Sequence, residues 1–533
     1  MRCFCLILLL GCCLAVEPLL AQGPHYDVRS YGATGDTNTL ATAAIQQAID
    51  AAHAAGGGMV WVPAGDYLCG TIRLRSHVSL YLDAGATIWA SRREADYQGQ
   101  GAVLRQYVLI SADSAEQIAL LGRGRIHGQA RRSYEPLQGV DPFIADYTER
   151  ARQAGVEMKM YYKLPPIVST IHFTRCRDVL IEGISVIEAV FWLMDLKWCE
   201  RVRIRGVYLE SSLEAGVNAD GIDIDGCRDV VISDCIVYTG DDAIVLKANY
   251  SGTQQYDTEN VTVTNCIVSS TSTGLKIGTE SYGDFRHITF SNCVVRNSNR
   301  GLSIVVRDGG TVEDVLFSDI TVETDRKHFN WWGNGDAIWV VLLKRRPNSQ
   351  LGQIRDVVFR NIVARGQGTS RVEGYAPDSL HPDGRWLENI RFEDVQLTML
   401  PEDYPDKRAD HAFAAHHIRG LVLEDMTVSW DALQPEAAWR SALHLAAVED
   451  VEVEGLRGKQ APGQAAAPVI DLRDVRGAWL HHLMPAPGAG TLLRVAGSES
   501  ASIFVQCADP QRQAARLLFR APETPRRAIR LEK

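Results

Sequence analysis

From about residue 170 onward, the hydrophobic positions fall in short alternating runs, not in helical stripes. Val230-Val231-Ile232-Ser233 and Val261-Thr262-Val263-Thr264 are representative: four residues, rich in β-branched types, the signature of a half-buried strand. Between residues 170 and 330 almost nothing carries the 3.6-residue period of a helix. The runs also recur. An apolar anchor returns at Val179, Val202, Val230, Val261, Ile288, Val315, Val357, Ile390, Leu421, Val451, Val475 and Ile503. A polar phrase follows the later anchors at Asp234, Asn265, Asn292, Asp319, Asn361, Asp394 and Asp425, separated by 31, 27, 27, 42, 33 and 31 residues. Self-similarity at that period signals a solenoid or a propeller. A propeller blade needs four strands in about 40 to 45 residues of near-constant length, whereas a coil of about 23 to 31 residues holds three short strands and their turns. The expected fold is therefore all-β, a parallel β-helix whose coils stack at about 4.8 Å.

Such a stack must close its open ends. Thr39 to Ala55 is the one convincing helix, with Leu40, Ala44, Ile45, Ala48, Ile49 and Ala52 on one face and Gly56-Gly57-Gly58 at its end, and it is expected to cap the N-terminal mouth. Tyr26-Asp27-Val28 and Val60-Trp61-Val62 read as the first strands. Beyond about Gly458 the chain turns Ala/Pro/Gly-rich, and irregular C-terminal coils are expected there. Met1 to Gln22 read as an export signal: Arg2, then an apolar run from Leu6 to Leu10, then Leu19-Leu20-Ala21 at the cleavage point. The alternative is a lipobox at Leu9-Leu10-Gly11-Cys12, which would leave a lipid anchor on Cys12. The organisation expected is thus a signal at 1–22 and a single β-helix catalytic domain over 23–533, exported to the periplasm or beyond the cell, with an outer-membrane lipoprotein as the variant form.

Composition changes the picture in several places. With 46% hydrophobic and 23% charged residues the chain is no disordered sequence. At roughly 150 residues per domain its 533 residues would suggest about three globular domains, a count the repeat replaces with one elongated stack. The formal net charge of -10 argues against nucleic acid as partner, and no later stretch reaches the ~18 to 20 apolar residues of a membrane span. Cys235, Cys266 and Cys293 share one place in the repeated phrase. The six cysteines from Cys176 to Cys293 include no C-x-x-C pair, so they read as small buried hydrophobes. A monomer without cofactor is expected.

The densest carboxylate patch is Asn218-Ala219-Asp220-Gly221-Ile222-Asp223-Ile224-Asp225 followed by Gly240-Asp241-Asp242-Ala243. Asp220 and Asp241 are 21 residues apart, about one turn of the stack, so they should be neighbours. Crowding of like charges raises at least one pKa, which gives one carboxyl the part of acid and leaves another as base, as glycoside hydrolysis requires. Asp-Gly and Gly-Asp-Asp are also ordinary turn residues, and a calcium site is a third reading. Asp223 and Asp225 alternate with Ile222 and Ile224 and are expected to face solvent.

These residues in their coil context resemble the polygalacturonase-like glycoside hydrolases of family 28, with the right-handed β-helix of pectin lyase type. The resemblance runs from Tyr26-Asp27-Val28-Arg29-Ser30-Tyr31-Gly32-Ala33 to Ile320-Thr321-Val322-Glu323. The family's Asn-Thr-Asp-Gly matches Asn218-Ala219-Asp220-Gly221, and its Gly-Asp-Asp matches Gly240-Asp241-Asp242. The resemblance implies that Asp241 is the general acid and that Asp220 and Asp242 position and deprotonate the water, with inversion at the anomeric carbon. It implies no metal.

Two departures matter. The family's Gly-His-Gly falls on Ser272-Thr273-Gly274, and its uronate-holding Arg-Ile-Lys falls on Ser303-Ile304-Val305. Lys276 and Arg307 are the nearest replacement cations. The longer coil from Asp319 to Asn361 carries Trp331-Trp332 in a polar, Gly-containing loop, where stacking on sugar rings would close one end of the cleft and favour exo action. Trp192 reads as wall or core. The expected partner is a plant cell-wall polysaccharide or oligosaccharide of galacturonan or rhamnogalacturonan type. The alternatives are a polysaccharide lyase on the same scaffold, disfavoured by the lack of an obvious basic cluster, and a non-catalytic carbohydrate-binding β-helix.

Overall fold

The structure is a computed structural model that describes residues 25–98, 106–137, 145–327, 333–506, 508–509 and 511–532. Residues 1–22, including Cys12, and the pair Trp331 and Trp332 lie outside the described residues.

The chain winds into a right-handed parallel β-helix. Each complete coil passes through three walls, with one strand on each in the N-terminal half, whereas Thr311–Thr324, Leu387–Met399 and Phe413–Glu424 each run on from one wall into the next. The first wall begins at His25–Asp27, Gly58–Val62 and Val78–Leu82 and ends at Ala501–Gln506 and Ile529–Glu532. The third wall includes Tyr208–Glu210, Ile236–Thr239 and Ile267–Ser270. Between them in each circuit lies the site wall: Met194–Lys197, Ile222–Asp225, Ile244–Ala248, Thr273–Ser281, Arg300–Val306 and Asp336–Leu342, all parallel, with the register shifting once, between Leu246 and Ala248 against Thr273–Ser281. The parallel register continues to Glu532, while the third wall shrinks after Trp430 to the two-residue strands Arg457–Gly458 and Met484–Pro485.

The repeat has a physical basis at each position. The anchors Val202, Val230, Val261, Ile288, Val315, Val357, Ile390, Leu421 and Val451 are successive register partners and all are buried. The series then passes to Ala478, not to the expected Val475, and on to Ile503. The recurring Asp or Asn sits at the corner leaving the first wall with φ between 50 and 59°. Asn and Asp tolerate that left-handed conformation better than other non-glycine residues, and their side chains bond between coils, as Asn265 to Asp234 at 3.3 Å and Asn361 to Asp319 at 2.6 Å. The cysteines form two buried files, Cys176–Cys199–Cys227 and Cys235–Cys266–Cys293, with every thiol free. Phe290, Phe317, Phe359 and Phe392 stack through the core at 4.7, 4.9 and 4.8 Å between rings. The helix runs Thr42–Ala54, with Ala44, Ile45, Ala48, Ile49 and Ala52 buried; Leu40 precedes it as an isolated bridge to Leu68 and is exposed.

Candidate active site

The carboxylates lie where the third wall turns into the site wall. Each turn needs a glycine because two coils touch there: a Cβ on Gly240 would meet the Ser212 carbonyl oxygen at 2.3 Å, and one on Gly221 the Ala243 carbonyl oxygen at 2.4 Å. The Gly221 amide donates to the Asp242 carbonyl at 2.9 Å, which stacks the Asp220 turn directly on the Asp241-Asp242 turn. The next coil supplies the buried run Ser269-Ser270-Thr271-Ser272-Thr273, and its Ser270 hydroxyl donates to the Asp241 carbonyl oxygen at 2.6 Å. Asp220, Asp241 and Asp242 thereby bring carboxylate oxygens within 4.8 Å of one another. All three are buried, at 4, 6 and 3% exposure.

Their partners differ. Asp242 accepts from Lys276 Nζ at 2.6 Å, the Ser272 hydroxyl at 2.8 Å and the Thr273 amide at 3.2 Å. Asp220 accepts from Lys247 Nζ at 3.0 Å, and the same ammonium lies 2.5 Å from Asp223. Asp241 takes only the Asp242 amide at 2.9 Å, and among the described residues no ion pair reaches it. Burial, then the Asp220 and Asp242 charges, push the Asp241 carboxyl well above the usual carboxylate range. Burial also raises Asp220, with the Lys247 charge opposing it. Glu280 goes the other way: burial alone would raise it, but Lys247, Arg345 and Lys276 hold it at about 2.

A cleft of about 440 Å³ opens over this set, lined by Trp192, Asn218, Lys247, Lys276, Arg307 and Arg345 among others. Asn218 accepts from Lys163 Nζ at 2.7 Å, and burial lowers that lysine to about 8. Lys276 and Arg307 both line the cleft, yet Lys276 is spent on Asp242. Burial, followed by the Arg345 charge, lowers Arg307. The three carboxylates could hold a cation by distance alone, but Lys247 and Lys276 already place an ammonium against two of them.

Three expectations are corrected. Asp223 and Asp225 are 1% exposed: they do point away from the core, but Lys247, Lys197 and Asn249 cover them. Trp192 is no plain wall residue; it lines the cleft, with Lys197 and Lys247 over its ring at 4.8 and 5.0 Å. The basic cluster missing from the sequence is assembled by the fold from separate coils, as Lys197, Lys247, Lys276, Arg307 and Arg345. Lys247 was legible in principle, being the one cation in the otherwise apolar strand Ile244–Ala248. Lys163 had no such signal, since it arrives from the inserted hairpin of Tyr134–Pro136 and Tyr161–Lys163.

A parallel β-helix with three converging aspartates at one wall defines a class of carbohydrate-active protein, and comparison with known proteins narrows it. The model of glycosyl hydrolases family 28 matches residues 57–328, and the chain belongs to that family. It is 24% identical over 235 residues to a probable polygalacturonase of Vitis vinifera, and 28% identical over 253 residues to an exo-poly-alpha-D-galacturonosidase of Dickeya chrysanthemi. Each match takes in 41% of this chain, and 43% and 41% of those relatives, so less than half of either relative is spanned. The family 28 exopolygalacturonase of Yersinia enterocolitica superposes with a TM-score of 0.61 at 20% identity, over 81% of this chain and 78% of that one, a likeness of fold. Among the described residues no helix is long and apolar enough to cross a membrane.

Proposed function

We propose that this cleft hydrolyses glycosidic bonds of pectic polysaccharide or oligosaccharide, of galacturonan or rhamnogalacturonan type, from a chain end. The observation that carries the reading is the asymmetry of the three carboxyls. Asp241, buried beside two charges and without a cation, is the group that keeps its proton, and it serves as general acid to the leaving oxygen. Asp242, bonded by Lys276 and Ser272, and Asp220, bonded by Lys247, accept the two hydrogens of one water and draw a proton from it as it attacks the anomeric carbon. Asn218 and Arg307 contact the sugar, and Trp331 and Trp332 belong to the same reading as stacking residues at the closed end.

An anionic substrate is supported by the cations of the cleft and by the basin that adjoins it through Arg307 and Arg345. That basin, of about 1040 Å³, is also lined by Arg300, Arg371, Lys407 and Arg408. A lyase would need a neutral Lys or Arg as base, whereas the Lys247 ammonium, raised well above its usual range by Asp220 and Asp223 against the cost of burial, is held charged. The relatives that carry exopolygalacturonase names support chain-end action.

Spacing alone does not settle stereochemistry: retaining pairs lie about 5–5.5 Å apart and inverting pairs about 6.5–9.5 Å. Inversion is proposed because two lysine-bound carboxylates share one water here, where a single free nucleophile would be needed for retention. The test is digestion of a panel of pectic oligosaccharides followed by proton NMR of the first product. The expected result is single-residue or disaccharide release with inverted anomeric configuration. Asp241→Asn should lower kcat by about 10²- to 10⁴-fold, the span of general acid catalysis, with an unchanged circular dichroism spectrum. Unaltered turnover in that variant, or an unsaturated product, overturns the assignment. Export with cleavage after Ala21, or lipidation at Cys12, belongs to the same proposal and is read by mass spectrometry of the mature N-terminus.

A further inference from the structure

A second constellation lies on the first wall, several coils beyond the cleft. Strands Leu443–Glu454 and Arg476–His481 pair in parallel, with Glu452 beside Trp479 and Glu454 beside His481. Val453 and Leu480 between them are fully buried, so alternation turns Glu452, Glu454 and His481 outward. His482 follows at the left-handed corner with φ 52°, a corner that Gly455 and Asp425 occupy in the two preceding coils.

The corner folds the His482 ring back toward its neighbour. His481 Nδ1 and His482 Nδ1 are 3.1 Å apart, and Glu454 Oε1 lies 3.4 Å from the second and 3.8 Å from the first. Three donors around a tetrahedral zinc, at about 2.0–2.1 Å from the metal, stand about 3.3 Å from one another. The spacing here matches one face of that tetrahedron. An independent feature points the same way. His481 Nε2 is 3.0 Å from Glu452 Oε1, which fixes the proton on Nε2 and leaves the Nδ1 lone pair aimed at Glu454 and His482. A carboxylate behind a histidine is the usual support of a metal ligand. The His481 side chain is 12% exposed, Glu454 39% and His482 59%, so the site has an open approach and room for water as a fourth ligand.

We propose that Glu454, His481 and His482 bind one Zn²⁺, with Glu452 as the positioning residue for His481. Two imidazoles and one carboxylate suit a borderline dication and not Ca²⁺ or Mg²⁺, which take oxygen donors. Because Glu454 sits on one coil and the histidines on the next, the ion would tie neighbouring rungs of the C-terminal part of the stack. It is separate from the glycosidic site and independent of that reading.

The test is isothermal titration of the untagged, chelator-stripped full chain with zinc chloride in excess magnesium. One saturable equivalent is expected, with imidazole scattering in the zinc K-edge absorption spectrum. His482→Asn, which keeps a residue that tolerates the corner but removes the imidazole, and Glu454→Gln should each weaken binding at least 10-fold. Glu452→Gln should weaken it by about 10- to 100-fold, the usual effect of losing an outer-shell partner. Asp241→Asn should leave it unchanged. Zinc should raise the thermal midpoint of the wild-type chain and not that of His482→Asn. Absence of a saturable equivalent, or equal binding by wild type and His482→Asn, overturns the proposal.

Discussion

At the scale of the residue, the chemistry turns on which carboxyl lacks a cation. Asp220, Asp241 and Asp242 are alike in burial, but Lys247 and Lys276 each choose one of the outer two. On the proposed role Asp241 works in its protonated form, so activity should be lost as pH rises through its pKa, which burial and then the Asp220 and Asp242 charges raise. Asp220→Asn removes one of those charges, so Asp241 gives up its proton at lower pH. The residual activity of that variant should show the alkaline limb of kcat/KM moved to lower pH. Lys276→Met acts in the opposite sense, because the Lys276 cation lowers Asp241, and its alkaline limb should move up. Parallel pH profiles of the two variants check this; displacement of both limbs in one direction would contradict the assignment of acid. The three aspartates were legible in the sequence because they sit in two short phrases, Asp220 beside Gly221 and Asp241-Asp242 after Gly240. Their cations were not. Lys276 lies in the coil after Asp242 and Lys247 is 27 residues beyond Asp220, and which ammonium meets which carboxylate depends on a register that sequence separation alone does not set.

At the scale of the element, each wall is a one-dimensional file in which a side chain meets its counterparts one coil above and below. That explains what could be read in advance. The Asp/Asn file was legible because a left-handed corner selects those residues, and the apolar anchors because the wall alternates. The exchange of Val475 for Ala478 was not, since near the C-terminal end several apolar residues fall within one strand length and only pairing with Val451 decides among them. The phenylalanine file permits a quantitative test. Phe317 is fully buried between Phe290 and Phe359, so Phe317→Ala removes two ring contacts and leaves a cavity that neighbouring coils cannot fill. The cost should be about 3–5 kcal/mol, read from chemical denaturation. Hydrogen exchange should rise most in the strands at 285–291, 311–318 and 353–360 and little at the C-terminal coils. Uniform loss of protection along the stack would mean that the coils are coupled far beyond their nearest neighbours.

At the scale of the whole molecule, a net charge of -10 would by itself oppose a polyanionic substrate, and the expected uronate-binding pair is replaced by Ser303 and Val305. The fold resolves the conflict by position. Arg307 and Arg345 join the cleft to a basin that adds Arg300, Arg371, Lys407 and Arg408, so cations from distant parts of the sequence meet at one wall, beside the cleft carboxylates and the basin's own Glu373 and Asp406. In 0.15 M salt the screening length is about 8 Å, so an oligosaccharide bound as proposed would sense the basin and little of the distant surface. The sign of the salt dependence follows. If the basin governs binding, KM for a de-esterified uronic oligosaccharide should rise with ionic strength, because salt weakens a local attraction. If the net charge governs, KM should fall, because salt weakens a repulsion. We expect the rise, and we expect KM for the fully methyl-esterified counterpart to stay flat, since it carries no carboxylate for the arginines to meet. Steady-state kinetics on both substrates over a salt series separates the two cases, and a falling KM would remove the basin from the account of specificity while leaving the carboxylate chemistry of the cleft intact.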